Sequence, residues 1–157
     1  MKILIASDHA GFPLKEETRS HLEKLGHVVK DLGAYEEDPL DDYPDFAEKL
    51  GLELVKGEYE RGVLICGSGV GVTIAANKIP GIRACMCHDT YSAHQGVEHD
   101  DMNVLVLGAR IVGSALTFDL VDSFLKAKFQ SQEERFVRRL NKVLSIEARF
   151  CQPPARK

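Results

Sequence analysis

Short apolar runs alternate with amphipathic stretches along most of the chain. The apolar runs have the length of β-strands, and the amphipathic stretches repeat their apolar residues at the three- and four-residue spacing of a helix. Five strands are predicted, at Lys2–Ser7, His27–Asp31, Val63–Cys66, Ile82–Cys87 and Asn103–Leu107. Short apolar strands separated by helices are typical of a parallel sheet that helices cover on both faces.

The stretches between and after these strands predict helices, at Pro13–Leu25, Phe46–Lys56, Gly71–Lys78, Thr90–Glu98, Gly113–Phe129 and Glu133–Phe150. The last helix follows a complete set of strands and carries an apolar stripe that includes Phe136 and Leu140. Either the chain's own sheet or a second subunit is needed to cover this stripe. We expect one domain over residues 1–150, including this C-terminal helix, and a flexible tail over residues 151–157.

Composition narrows the class of protein. The chain has 157 residues, of which 44% are hydrophobic and 28% charged, with a formal net charge of −4, and this fits one globular domain. Such a charge offers no basic field for nucleic acid, so no nucleic-acid partner is expected. No apolar run reaches the roughly 20 residues of a membrane helix, and the N-terminus turns polar too soon for a signal peptide. With too few cysteines for a disulfide scaffold, a cytoplasmic protein with reduced thiols and no membrane contact is predicted.

Polar residues follow several of the predicted strands. Asp8 and His9 follow the first strand, Cys66 ends the third, and Arg110 follows the fifth. Because ligands of open parallel sheets bind beyond the carboxyl ends of the strands, we expect these side chains to line a site at that edge.

The run Cys66-Gly67-Ser68-Gly69-Val70-Gly71 leads from the third strand into a helix. Its glycine spacing and its place after the third strand argue against a dinucleotide, and no Gly-Lys-Ser/Thr follows, which excludes a Walker A loop. A cysteine at a strand end is often only a small buried hydrophobe. Here, free N–H groups at the helix start are expected to lower the pKa of the Cys66 thiol and to bind an oxyanion beside it. The thiolate is a candidate nucleophile or general base.

Histidines near this edge have two interpretations. His9 and His99 are each either solvated loop residues or general acids, since imidazole exchanges protons near neutral pH. Zinc is the competing use of Cys and His side chains. The order Cys85-x-Cys87-His88, followed by His94 and His99, matches no common zinc-ligand spacing, so no metal is expected.

Arginines are the candidate phosphate ligands. Arg135 and Arg139 are four residues apart and so share one helical face, where two guanidinium groups can clamp a phosphate. An exposed helical arginine is more often only solvated, and Glu133 and Glu134 can pair with both side chains. Spacing alone leaves these alternatives open.

Several segments, in the same order, resemble the type B ribose-5-phosphate isomerases, whose wider family includes galactose-6-phosphate isomerase subunits. The resemblance runs from the first strand to about Val143. It is carried by Ser7–Lys15, Asp42–Pro44, Ile65–Gly71, Ala75–Lys78, Gly81–Ala84, Glu98–Leu105 and Gly108–Gly113.

The resemblance implies a Rossmann-like three-layer α/β/α sandwich that acts as an aldose–ketose isomerase without a metal or cofactor. It implies a homodimer, which can pair into a tetramer, with active sites shared between subunits. Cys66 resembles the base that moves a proton between C1 and C2 of a sugar phosphate through a cis-enediolate, and His99 resembles the acid that opens the furanose. Residues implied to hold the enediolate oxygen are Gly67, Ser68, Gly69, Val70 and Gly71. Residues implied to contact the sugar or its phosphate are Asp8, His9, Tyr43, Arg110, Arg135 and Arg139.

Two positions and one segment depart from the family pattern. Asp100 follows His99 where the family usually has Asn, and a carboxylate there changes the hydrogen bonding to a sugar hydroxyl or repels an anionic substrate. Ser68 replaces a common Thr and keeps the hydroxyl. A Gly-Gly-Arg-His run of the family appears as Glu133–Phe136. Ribose 5-phosphate is the expected substrate, and the alternatives are an allose, galactose or tetrose phosphate, or a sugar-phosphate binding subunit without activity.

Overall fold

The computed structural model describes residues 1–150. Its strands are β1 (Lys2–Ser7), β2 (Val28–Asp31), β3 (Arg61–Cys66), β4 (Ala84–Met86) and β5 (Val104–Gly108). They form one parallel sheet in the order β2-β1-β3-β5-β4, which confirms the predicted five-stranded sheet. β2 and β4 are shorter than predicted because they are the edge strands and each pairs with a single neighbour.

All of the predicted helices are present. They are α1 (Phe12–Lys24), α2 (Tyr43–Leu54), α3 (Val70–Ala76), α4 (Thr90–Asp100), α5 (Ser114–Lys126) and α6 (Glu134–Phe150), and a single 3₁₀ turn at His9–Gly11 precedes α1. α2 begins at Tyr43, three residues before the predicted Phe46, with Pro44 in its first turn. Proline suits this position because the N–H that it lacks has no partner in the first turn of a helix. The early start places Tyr43 at the mouth of the site described below.

The sheet separates two halves of the hydrophobic core. On β3, Val63 and Ile65 pack with residues of α1, α4 and α5, whereas Leu64 and Cys66 pack with residues of α2 and α3. Alternate side chains of a strand point to opposite faces, so a fully apolar strand needs helices on both sides. The predicted three-layer α/β/α arrangement is confirmed.

Helix α6 contacts the rest of the chain through Phe136 in its first turn and through Glu147, whose side chain accepts the N–H of Gly81 at 3.0 Å. Phe136 is its one fully buried side chain, whereas Val143, Leu144, Ile146 and Phe150 remain between 37% and 76% exposed. The chain's own sheet therefore does not cover the apolar stripe. Of the two alternatives drawn from the sequence, cover by the chain's own sheet is not observed.

The flexible tail predicted for residues 151–157 lies outside the described residues. Within residues 1–150, no helix is both long enough and apolar enough to cross a lipid bilayer.

Candidate active site

Three neighbouring strands bring the first group of candidate residues together. β1 and β5 flank β3 in the sheet, so the segments that follow Ser7, Cys66 and Gly108 meet at one edge. There the Cys66 thiol donates a hydrogen bond to Oδ2 of Asp8, with the two atoms 2.8 Å apart. Asp8 is 5% exposed, and its other oxygen accepts the N–H of Gly11 at 3.0 Å, which holds the carboxylate towards the thiol.

The pKa of the Cys66 thiol is raised, not lowered as predicted. Burial opposes the charged thiolate most strongly, and the carboxylate of Asp8 raises the pKa further. The N–H groups of Gly67 and Gly69 act in the expected direction but are outweighed. The prediction was wrong because the sequence places Asp8 at the same edge as Cys66 but does not show that both are buried and in contact.

The glycine turn has the geometry of an anion-binding corner. Gly69 has a φ of +86°, a left-handed conformation that glycine adopts without strain, and the chain enters α3 directly after it. The hydroxyl of Ser68 accepts the N–H of Val70 at 3.3 Å. A Cβ atom on Gly71 would lie 2.7 Å from the ring of Tyr43, so the tyrosine lies against the turn. The ring of Tyr43 thus forms one wall of the turn.

Two cationic side chains stand beside the turn. His9 Nδ1 lies 2.6 Å from Oδ1 of Asp41, and the backbone N–H of His9 donates to the other oxygen of Asp41 at 2.7 Å. The hydrogen bond with Asp41 raises the pKa of His9, which favours the protonated ring. Arg110 donates its backbone N–H to the carbonyl oxygen of Gly67 at 3.0 Å. Its positive charge lowers the pKa of His9, but the hydrogen bond with Asp41 outweighs this effect. This pair makes the edge suitable for an anionic group.

A second group of predicted site residues lies at the amino ends of the strands, at the opposite end of the sheet from Cys66. α4 runs back from the end of β4, and after it the carbonyl oxygen of Asn103 accepts the N–H of Gly62 near the start of β3. His99 and Asp100, at the end of α4, therefore lie near the amino ends of the strands. Since β3 has 6 residues, its two ends are roughly 16 Å apart at a rise of about 3.3 Å per residue.

Helix α6 adds arginines to this second cluster. The His99 ring stacks on Phe136 with 3.9 Å between ring centroids, and His99 Nδ1 lies 2.6 Å from the side-chain nitrogen of Gln95. The guanidinium of Arg135 lies 4.5 Å from the centroid of the Phe136 ring. Arg135 and Arg139 are both exposed on successive turns of the helix. A single chain thus does not bring His99, Asp100, Arg135 or Arg139 to Cys66.

A family model described as Ribose/Galactose Isomerase matches residues 3–143. The chain belongs to this family. It is 42% identical over 148 residues to ribose-5-phosphate isomerase B of Escherichia coli, with 94% of this chain and 97% of that protein covered.

Solved structures of this isomerase family share the fold. Ribose-5-phosphate isomerase B of Clostridium thermocellum superposes with a TM-score of 0.91 at 46% identity, covering 96% of this chain and 99% of that chain. The same enzyme of Mycoplasma genitalium, solved with bound ribulose-5-phosphate, gives a TM-score of 0.88 at 40% identity, covering 94% and 96%. The family resemblance and the Rossmann-like fold predicted from the sequence are confirmed.

Three residues of this isomerase-family site were not predicted. Asp41 lies in an acidic loop whose role was not assigned. Met86 contacts the turn, since its sulfur is 3.1 Å from the position of a Cβ on Gly69, and His88 Nε2 accepts the N–H of Gly108 at 3.2 Å. The sequence placed Met86 and His88 at the end of β4, but only the sheet order shows that β4 lies beside β5.

Within residues 1–150, no group of three or more His, Cys, Asp and Glu side chains is placed to hold a metal ion. The site instead offers a thiol–carboxylate pair, a row of backbone N–H groups and a cationic pair. These groups can exchange a proton and stabilise an anion that forms next to the thiol.

Proposed function

We propose that this protein interconverts ribose 5-phosphate and ribulose 5-phosphate, with Cys66 as the base. The contact between the Cys66 thiol and Asp8 carries the proposal. It places a proton acceptor against the sulfur, beside the N–H groups of the glycine turn. Membership in an isomerase family, and the ribulose-5-phosphate in the related Mycoplasma genitalium structure, support a sugar phosphate as substrate.

Asp8 activates the thiol in this proposal. The raised pKa of Cys66 keeps its proton on sulfur in the free protein, so the base must first be generated. Asp8 takes the thiol proton along the existing hydrogen bond when substrate displaces water from the site. The thiolate formed in this way faces the substrate, and the neutral carboxyl group no longer repels it.

Isomerisation then requires that a proton is removed from C2 and returned to C1. The thiolate removes the proton from C2 of the open-chain aldose, and the electron pair of the C–H bond forms the C1–C2 double bond. The negative charge collects on O1, where the N–H groups of Gly67–Gly71 stabilise it. The hydroxyl proton moves from O2 to O1, and Cys66 returns its proton to C1 to give the ketose.

The phosphate is expected beside His9 and Arg110. The Arg110 guanidinium lies next to Gly67, and Asp41 raises the pKa of His9, so the His9 ring stays charged to a higher pH. Binding energy from this remote group orients the reacting carbons over the thiol. Tyr43 closes the side of the pocket against the turn.

A homodimer with shared sites completes the proposal. Each chain carries the thiol at one edge of the sheet and the His99 cluster at the other, and the apolar stripe of α6 is uncovered. A second chain with its sheet reversed places the partner subunit's His99, Arg135 and Arg139 near Cys66. The partner subunit's His99 opens the furanose, and its arginines bind the phosphate. A cytoplasmic location stays a prediction from the sequence.

Asp100 is expected to influence which sugar is accepted. A carboxylate beside His99 repels an anionic substrate or changes the hydrogen bond to a sugar hydroxyl. The test is a panel of ribose, allose, galactose and erythrose phosphates with their ketoses, in which NMR detects the product. We expect the highest kcat/KM for ribose 5-phosphate, and Asp100→Asn is expected to change the relative rates. Phosphate-dependent binding of every sugar without turnover would instead support a binding subunit.

A further inference from the structure

Two cysteines outside the site form a pair. Cys85 and Cys87 are alternate residues at the end of the edge strand β4, and the proposed isomerisation uses neither of them. The Cys87 thiol donates a hydrogen bond to the carbonyl oxygen of Cys85 at 3.8 Å, and the Cys85 thiol donates one to the carbonyl oxygen of Met86 at 3.8 Å. Cys85 is exposed, whereas Cys87 is 1% exposed and belongs to the core cluster that contains Ala93 and Val97 of α4.

The spacing of this pair permits a covalent link. Alternate residues of a strand are roughly 6.6 Å apart at a rise of about 3.3 Å per residue, near the upper end of the Cα–Cα range of disulfides. Cys87 lies just past the end of β4, held by one hydrogen bond from its N–H to the carbonyl oxygen of Val106 at 3.2 Å. Joining the two sulfurs requires this strand end to move, because a disulfide needs its Cβ atoms about 3.5–4.5 Å apart.

We propose that Cys85 and Cys87 form a dithiol that hydroperoxides convert into a reversible disulfide. The Cys85 thiolate attacks the peroxide, which breaks the O–O bond and gives a sulfenic acid and an alcohol or water. The Cys87 thiol then attacks the sulfenic sulfur, its proton leaves with the hydroxyl as water, and the S–S bond forms. The pair loses two electrons and two protons, and one peroxide is reduced.

The two thiols are suited to these different roles. The neighbouring Cys87 thiol lowers the pKa of Cys85 to about 7, which makes its thiolate available near neutral pH. The same contact and burial raise the pKa of Cys87, so this thiol stays protonated until the sulfenic acid forms beside it. Cys66 differs from Cys85 in exposure and in pKa, because Cys66 is only 9% exposed and its pKa is raised.

The pair lies next to the glycine turn. Met86, between the two cysteines, contacts Gly69, and His88, directly after them, accepts the N–H of Gly108. Moving the end of β4 to close the disulfide shifts both contacts. Oxidation is therefore expected to lower turnover reversibly. This effect on turnover rests on the proposed function, whereas formation of the disulfide does not.

Peptide mapping of the folded protein tests the disulfide. Trypsin releases Ala84–Arg110, which contains Cys85 and Cys87 and no other cysteine, and Gly62–Lys78, which contains only Cys66. After hydrogen peroxide treatment and alkylation of free thiols, Ala84–Arg110 should carry no alkyl group and be lighter by two hydrogen atoms. Reductant should restore both thiols. Two free thiols in this peptide after Cys66 has been oxidised, or a link from it to the peptide of Cys66 or Cys151, would overturn the proposal.

Single variants separate the two roles. Cys87→Ser should leave a sulfenic acid on Cys85 that dimedone traps, and Cys85→Ser should leave Cys87 unmodified by dimedone. Equal dimedone labelling of both variants would contradict the assignment of Cys85 as the attacking thiol. For turnover, the wild type should lose at least half of its activity with peroxide and regain it with reductant, while Cys85→Ser loses less. Full activity of the disulfide form would show that oxidation does not affect turnover. The disulfide itself would still be supported by the peptide mapping.

Discussion

The two edges of the sheet carry complementary halves of one chemistry. The carboxyl edge holds a thiol, its carboxylate and a row of N–H groups, which can take a proton and stabilise the resulting anion. The amino edge holds His99 stacked on Phe136 with an arginine over the same ring, which can supply a proton and bind a phosphate. In the proposed function neither group is sufficient for isomerisation, and one chain of this protein holds two half-sites.

The largest effect is expected from removing the base at the carboxyl edge. Cys66→Ala should lower kcat by about 10³-fold to 10⁴-fold, at the upper range of general acid–base catalysis, because the variant lacks the thiolate that removes the C2 proton. Steady-state kinetics with ribose 5-phosphate measure it. Cys85→Ala, which removes an exposed thiol outside the site, is the matched control and should keep its activity. Full turnover by Cys66→Ala would exclude the thiol as base.

Mixing subunits tests whether the two edges combine across chains. His99→Asn should lower kcat by about 10²-fold, since ring opening loses its acid. Unfolding and refolding Cys66→Ala together with His99→Asn should restore about a quarter of wild-type activity, because half of the dimers are mixed and each has one intact site.

The outcome of mixing distinguishes a site shared between two chains from a site formed within one chain. If both residues acted within one chain, every site of a mixed dimer would lack one of them and the mixture would stay inactive. Each variant refolded alone is the control. Analytical ultracentrifugation of the mixture checks that dimers have formed.

Removing the charge of Asp8 tests the activation of the thiol. Asp8→Asn should lower the pKa of Cys66, because the carboxylate that opposes the thiolate is gone, and should lower kcat by about tenfold or more, because nothing accepts the proton. The pH dependence of iodoacetamide alkylation of Cys66 measures the pKa. A higher pKa in this variant would contradict the role given to Asp8.

A smaller effect is expected from Asp41. Asp41→Asn should return the raised pKa of His9 towards its ordinary value, so KM for the sugar phosphate should rise about fivefold near pH 7 with little change in kcat. NMR titration of the His9 ring measures the pKa directly.

The pH dependence of the His9–Asp41 pair follows from the same shift. A raised folded-state pKa means that the pair stabilises the protein fully at pH values below the ordinary pKa of histidine, and this stabilisation is lost as the pH rises through the raised value. In Asp41→Asn this dependence on pH should weaken. An unchanged His9 titration in the variant would show that Asp41 does not control its charge.

Much of the fold could be predicted from local pattern. Each strand was recognisable because it is a short apolar run, and every helix was recognisable from its spacing and from residues such as Pro13 and Gly26 at its ends. Two errors concern the ends of elements. α2 starts earlier than its apolar spacing suggested because Asp42 and Pro44 begin it, and β4 is short because it has only one neighbour.

The site could be predicted only in part. Residues that directly follow strands, such as Asp8, Cys66 and Arg110, were found because the carboxyl ends of parallel strands share one edge. Asp41 was missed because a loop between two elements has no fixed position until it packs. The pKa of Cys66 was predicted in the wrong direction because its largest causes, burial and Asp8, are absent from the local sequence.

By itself, the sequence determined the order of the elements, the family and the types of group that carry the chemistry, because these depend on local spacing and on motifs in contiguous segments. Tertiary structure alone decided which groups meet. It brought Asp8 against Cys66, placed His99 at the far edge, left α6 uncovered and joined the Cys85–Cys87 pair to the glycine turn. These relations depend on strand order and on burial, which arise only when distant segments of the chain pack together.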